Sequence, residues 1–182
     1  MPHVLLTLSF KQKPNYLARH FNKNMLKAGD FFLSGRTGGV VCAFVPWKNT
    51  FAGATPSHIF QYSGTDVLSI GNQQTKVAHF ASDIDLALFP VLSACEPSQL
   101  GKPHFGDAML VNARGSMGCR VTDVSWSIAY VALQPGNLPG PGDSGTPVIQ
   151  DDKVVGMLLS MNMHTCKGIV MNAELIRREA QM

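Results

Sequence analysis

Glycine and proline punctuate this chain from end to end. There are 17 glycines and 11 prolines in 182 residues, spread along the chain and not clustered. Between them lie short apolar runs. Residues 40–45, 67–70, 76–80, 86–89, 108–111, 119–123, 127–133 and 153–161 read as strands. Val, Ile, Leu, Phe and Ala dominate them, and Gly, Pro, Asn, Asp or Ser bound them. Eight or more short strands at this spacing predict a β-sandwich or barrel. Two stretches carry helical spacing. Residues 15–26 place Tyr16 or Leu17, His20 or Phe21, and Met25 near one face, with Arg19, Lys23 and Lys27 interleaved. Residues 173–180 follow Asn172, a good N-cap. Residues 90–103 hold Pro90, Pro97, Gly101 and Pro103 among polar residues and read as a linker between halves.

Composition narrows the function. Hydrophobic residues make up 45% and charged residues 15%, which excludes a disordered chain. The net charge of +3 does not announce a nucleic-acid or membrane-surface protein. No apolar run reaches the roughly 20 residues of a membrane-spanning helix. The first residues lack a basic region before their short apolar stretch, so no signal peptide is expected. Cys42, Cys95, Cys119 and Cys166 are too widely spaced for a zinc pattern or a disulfide scaffold, and are expected as free thiols in a reducing, cytoplasmic compartment. Cys166 with His164, even joined by Cys42, is a weak ligand set, so neither metal nor cofactor is expected.

Chemistry concentrates in Pro141-Gly142-Asp143-Ser144-Gly145-Thr146-Pro147-Val148. A serine between glycines can sit on a tight turn with its hydroxyl exposed, and substrate can approach the main chain there. Two amides pointing one way would form an anion hole. A serine hydroxyl needs a base, and histidine is the usual one. The candidates are His3, His20, His58, His79, His104 and His164. His58 closes a short run of small residues, Ala54-Thr55-Pro56-Ser57. The base in turn needs a carboxylate to hold its tautomer. Asp85 heads the apolar run Leu86-Ala87-Leu88-Phe89, where a charge is costly unless hydrogen-bonded. Asp83 shares its strand parity, so the sheet face does not separate the two. The apolar residues after Asp85 favour it, and Asp83 is expected in solvent. His79 and His104 are expected to be structural.

With these residues in view, the chain resembles trypsin- and chymotrypsin-like serine peptidases. Residues 141–148 are similar to their nucleophile motif. Thr55-Pro56-Ser57-His58 is similar to their Thr-Ala-Ala-His, with two of four residues changed. Asp85-Leu86-Ala87-Leu88 is similar to their Asp-Ile-Ala-Leu, and the order His, Asp, Ser is the same. Gly156 matches the strand after the nucleophile. The resemblance spans about residues 38–172. The sequence shows neither the Ile-Val-Gly-Gly activation motif nor the cysteine beside the histidine, so the resemblance assigns no partner to Asp143, which meets a new N-terminus in secreted members. The 27 residues from His58 to Asp85 and 59 from Asp85 to Ser144 resemble compact viral main proteinases of picornavirus and arterivirus type. Members that prefer glutamine or glutamate carry a histidine on the pocket strand, where this chain has Leu158.

The resemblance implies an all-β fold of two antiparallel Greek-key barrels with short helices at both ends. Residues 1–95 would carry His58 and Asp85, and residues 96–182 would carry Ser144, with the site in the crevice between. It implies Ser144 as nucleophile, His58 as base, Asp85 as its orienting partner, and the N–H groups of Gly142 and Ser144 as the oxyanion hole. Leu138 would form the pocket base, with Leu159, Ser160, Met161 and Gly168 as walls. None is charged, which implies an uncharged residue at P1, the substrate position before the scissile bond. The substrate would be a polypeptide, including the chain's own polyprotein precursor if it is a viral processing proteinase in the host cytoplasm. A bacterial or phage cytoplasmic peptidase is the alternative context. A catalytically silent homologue that binds peptides or a partner is the alternative class. The basic face of Arg19, Lys23 and Lys27 is expected in solvent, with RNA binding as its alternative role.

Overall fold

The structure, a computed structural model, describes residues 25–182. The helix expected over 15–26, with Arg19 and Lys23, lies outside the described residues except at its end. There Leu26 is in a parallel bridge with Cys95 and not in a helix.

The first half runs β1 (Phe31–Ser34), β2 (Thr37–Val40), β3 (Ala43–Trp47), β4 (Thr50–Thr55), α1 (His58–Ser63), β5 (Val67–Ile70), β6 (Gln73–Lys76), β7 (His79–Phe80) and β8 (Ala87–Pro90). Its strands form two four-stranded antiparallel sheets, ordered β2-β1-β5-β6 and β3-β4-β8-β7. The run expected as one strand over 40–45 is therefore two, and so is the run over 76–80. The reason is that each run turns a corner between sheets. Val41 N–H still donates to Asp30 O (2.9 Å), whereas Cys42 N–H donates to Ala54 O (2.8 Å) on the other sheet. At the opposite edge Val77 N–H donates to Asp66 O (2.8 Å) and Ala78 N–H to Leu88 O (3.0 Å). The two sheets thus wrap into a barrel-like unit closed by chain continuity at both corners. Phe32, Phe44, Phe60, Leu68, Ile70 and Phe89 fill its interior. Each such buried side chain stabilises by about 1.5–3 kcal/mol relative to exposure.

The second half runs β9 (Gly106–Asn112), β10 (Gly115–Val124), β11 (Ile128–Leu133), β12 (Pro147–Gln150), β13 (Lys153–Asn162), β14 (Lys167–Asn172) and α2 (Ala173–Ala180). Its six strands close into a barrel, β10-β11-β14-β13-β12-β9. Alternate residues point inward, as period-2 strands require; Ala129, Val131 and Leu133 of β11 are buried. Helix α2 starts where its cap predicts: Asn172 Oδ1 accepts from Glu174 N–H at 3.0 Å.

A third core joins the halves. Ala43, Val45 and Trp47 of β3 and Ala52 and Ala54 of β4 pack with Met157 of β13 and Leu175 and Ile176 of α2. Phe44 of β3 points the other way into the first barrel, while Pro46 on that same face is exposed. The architecture is the two-barrel all-β fold with a C-terminal helix that the resemblance implied. No helix among the described residues is long and apolar enough to cross a membrane.

Candidate active site

Two consecutive tight turns build the serine loop. Asp143 N–H donates to Gly140 O at 3.1 Å, closing Gly140-Pro141-Gly142-Asp143. Proline second and glycine third, with Gly142 at φ +88°, is the pattern of a type II turn. Thr146 N–H then donates to Asp143 O at 3.1 Å, closing Asp143-Ser144-Gly145-Thr146, with Gly145 at φ +96°. Among the described residues, the N–H groups of Gly142 and Ser144 have no protein acceptor, while those of Asp143, Gly145 and Thr146 do. The loop is pinned to β13, where Gly145 N–H donates to Leu158 O (2.8 Å) and Leu158 N–H to Thr146 O (3.0 Å).

Asp143 is buried beneath this loop, and the structure supplies partners that the sequence did not reveal. Its Oδ2 accepts from Gly140 N–H at 2.8 Å. Its Oδ1 accepts from Asn112 Nδ2 at 3.2 Å and Arg114 Nη1 at 3.3 Å. Asn112 also donates to Thr146 Oγ1 at 3.0 Å. Arg114 is mostly exposed, with its guanidinium over the Phe31 ring, 4.6 Å from the centroid. With its arginine end in water and the Asp143 carboxylate already held by Asn112 and the Gly140 N–H, this ion pair is worth about 1 kcal/mol or less. Arg114→Ala is therefore expected to lower stability by no more than that amount. Asn112→Ala, which strips the donor from two buried acceptors, should cost more, about 1–3 kcal/mol. Thermal unfolding of the two variants checks the order, and an Arg114→Ala loss exceeding that of Asn112→Ala would refute it.

The second cluster forms where α1 meets the approach to β8. His58 Nδ1 and Asp85 Oδ2 lie 2.5 Å apart. Asp85 Oδ1 accepts from His58 N–H at 2.9 Å and from Ser57 Oγ at 2.8 Å. Burial alone would raise the Asp85 pKa. The hydrogen bonds from the His58 ring, the His58 backbone and Ser57 outweigh burial and hold it below the usual carboxylate range. Asp83 is exposed. His79 instead ties β7 to α2 through Glu179 (3.1 Å), and His104 pairs with Asp151 (3.0 Å).

The two clusters meet across the halves. Val40 N–H donates to Ser144 O at 2.9 Å, and Thr55 Oγ1 donates to Val40 O at 3.0 Å. A Cβ on Gly145 would overlap that same Val40 oxygen and lie 3.0 Å from Pro56 Cδ, two residues before His58. The serine turn thus rests directly on the segment that leads into His58. Among the described residues no hydrogen bond links Ser144 Oγ to His58.

Beside Ser144 opens a cleft of about 280 Å3. Pro139, Pro141, Leu159, Ser160, Met161 and Met163 line it, and no basic residue does. Among the described residues, the one charged residue in the lining is Asp143, whose carboxylate is already taken by Asn112, Arg114 and the Gly140 N–H. Two residues assigned to the pocket do not line it. Leu138 packs against the core of the second barrel, and the prolines after it form the wall instead. Gly168 lies behind the wall, where a Cβ would meet Val131 Cγ2 at 2.9 Å and Leu158 Cδ1 at 3.0 Å. Leu158 itself is buried in the barrel core with an edge at the cleft. Burial also pushes the thiols of Cys42, Cys95 and Cys119 up, the last to about 11. None of these three is a rival nucleophile at neutral pH.

Solved structures share this architecture. One is a glutamic acid specific serine protease that uses a histidine triad in substrate binding, at TM-score 0.67 and 12% identity over 85% of this chain and 97% of that one. Another is the catalytically active tobacco etch virus protease complexed with product, at 0.59 and 15% over 83% and 77%. A third is the NSP4 proteinase from equine arteritis virus, at 0.55 and 21% over 79% and 70%. No family model matches the chain, and no curated protein does.

Proposed function

We propose that this chain, which has the chymotrypsin-like fold, is a serine endopeptidase. The observation that carries the reading is the His58–Asp85 pair, held at 2.5 Å, on the segment against which the Ser144 turn rests. Ser144 Oγ attacks the scissile carbonyl carbon while its proton passes to His58 Nε2. Asp85 holds the Nδ1–H tautomer and stabilises the imidazolium. The unpaired N–H groups of Gly142 and Ser144 receive the oxyanion, each worth about 2.7–4 kcal/mol in comparable sites. The intermediate collapses with cleavage of the C–N bond, and His58 returns the proton to the leaving amine. Water then repeats the sequence on the acyl-enzyme.

The lining of the cleft supports an apolar P1 side chain such as Leu, Met or Phe. A charged P1 group left unpaired there costs at least about 3 kcal/mol, roughly a hundredfold in kcat/KM. Cleavage of a P1-scanning peptide library should show that gap, and equal turnover of P1 Lys or Glu would contradict it. The two viral proteases among the similar structures support a processing role on a viral polyprotein in the host cytoplasm, including the chain's own precursor. Residues 1–95 and 96–182 would be the two structural units of the enzyme.

Labelling with a fluorophosphonate tests the chemistry. Label is expected on Ser144 and absent from Ser144→Ala and His58→Ala. A folded wild-type chain that takes no label would point to a silent, peptide-binding homologue.

A further inference from the structure

Ser57 stands at the N-cap position of α1, where a serine ordinarily turns its oxygen to a backbone N–H of the first turn. Here it does not. Its backbone is helical (φ −71°, ψ −28°), and it makes no side-chain cap hydrogen bond. Its hydroxyl instead donates to Asp85 Oδ1 at 2.8 Å, the same oxygen that takes the His58 N–H at 2.9 Å. The residue is buried, at 8% exposure. Its position is one of the two at which the histidine motif departs from the sequence it resembles, with a hydroxymethyl side chain in place of a methyl group.

We infer that Ser57 is a positioning residue: its hydroxyl, given up by the helix, fixes the Asp85 carboxylate so that Oδ2 faces His58 Nδ1. The inference rests on the proposed peptidase reading for its consequence but not for its geometry. Two donors on Oδ1 leave the carboxylate little freedom to rotate about its Cβ–Cγ bond. With the hydroxyl removed, Oδ1 keeps only the His58 amide. The carboxylate can then turn away from the ring, and the imidazole loses its tautomer and its aim.

The test pairs a geometric readout with a chemical one, on the full chain. In wild type, the His58 Nδ1 proton should give a downfield, slowly exchanging NMR resonance. In Ser57→Ala it should broaden away, and Ser144 should be labelled by a fluorophosphonate about tenfold more slowly, a barrier change of about 1.4 kcal/mol. KM for a peptide substrate should stay within about twofold, because the hydroxyl touches no substrate. Ser57→Thr should restore both readouts, and Ser57→Cys, a weak donor, should fall between. Thermal unfolding establishes that each variant is folded, and the cysteine variant decides the matter if the alanine variant is not. A folded Ser57→Ala that keeps the resonance, or labels at the wild-type rate while wild type labels, overturns the inference. If wild type shows the resonance but takes no label, the peptidase reading fails, and the variants' resonances alone decide the positioning role.

Discussion

Asp85→Asn is expected to lower kcat by about 10⁴ while leaving the fold intact. The amide is nearly the same size, so packing against α1 survives. What changes is the proton. In the proposed mechanism the carboxylate, 2.5 Å from His58 Nδ1, keeps that nitrogen protonated and leaves Nε2 to take the serine proton. An asparagine can present its NH2 to Nδ1, which moves the ring proton to Nε2 and removes the base. The same substitution alters stability against pH. The folded Asp85 carboxyl is held below its usual range by its hydrogen bonds. Its contribution is therefore present above the ordinary carboxylate pKa and is lost as pH falls through the lower folded value. Wild type should lose stability through that acid window more steeply than the variant. Steady-state kinetics on an apolar-P1 peptide and urea unfolding across pH check the two halves. A variant with more than about a tenth of wild-type kcat would remove Asp85 from the mechanism.

Legibility followed local determinism. The serine loop could be read because its turns are written in residues with few conformational options: proline second and glycine third in one, glycine third in the next. The cap of α2 could be read because Asn172 acts on an amide two residues away. What escaped depends on distant contacts. Strand β4, Thr50–Thr55, looks like a glycine-broken run of small residues. It is a strand because Ala52 and Ala54 pack in the core between the halves, while a side chain on Gly53 would collide with the Phe89 ring. Strand β14 and helix α1 escaped for the same reason: neither carries a period long enough to announce itself. The cleft beside Ser144 is walled by Pro139 and Pro141, while Leu138, the residue the resemblance put at the pocket base, packs against the core of the second barrel, a placement set by contacts far along the chain. Ser57 was visible only as a departure from a motif, since its partner lies 28 residues away.

Gly145→Ala is expected to lower stability by at least about 3 kcal/mol, roughly 6–12 °C in Tm for a chain of this size, and to abolish fluorophosphonate labelling. Two causes act at once, and a second glycine separates them. Gly145 and Gly142 both hold left-handed backbone, at φ +96° and +88°. Alanine in that region costs about 1–2 kcal/mol, and this part is common to both sites. Among the described residues, the one atom within reach of a new Cβ at Gly142 is Arg114 Nη2, at 3.5 Å, on an exposed side chain that can move. At Gly145 the new Cβ would overlap the Val40 carbonyl oxygen, a backbone atom that also accepts from Thr55 Oγ1. Neither side can yield without breaking the 2.9 Å bond from Val40 N–H to Ser144 O, which fastens the serine turn to the first barrel. Gly142→Ala should therefore show the strain alone, and the difference between the two variants measures the contact between halves. Equal losses would mean that the serine turn does not rest on the segment leading to His58, and the assembly of the site would need another cause.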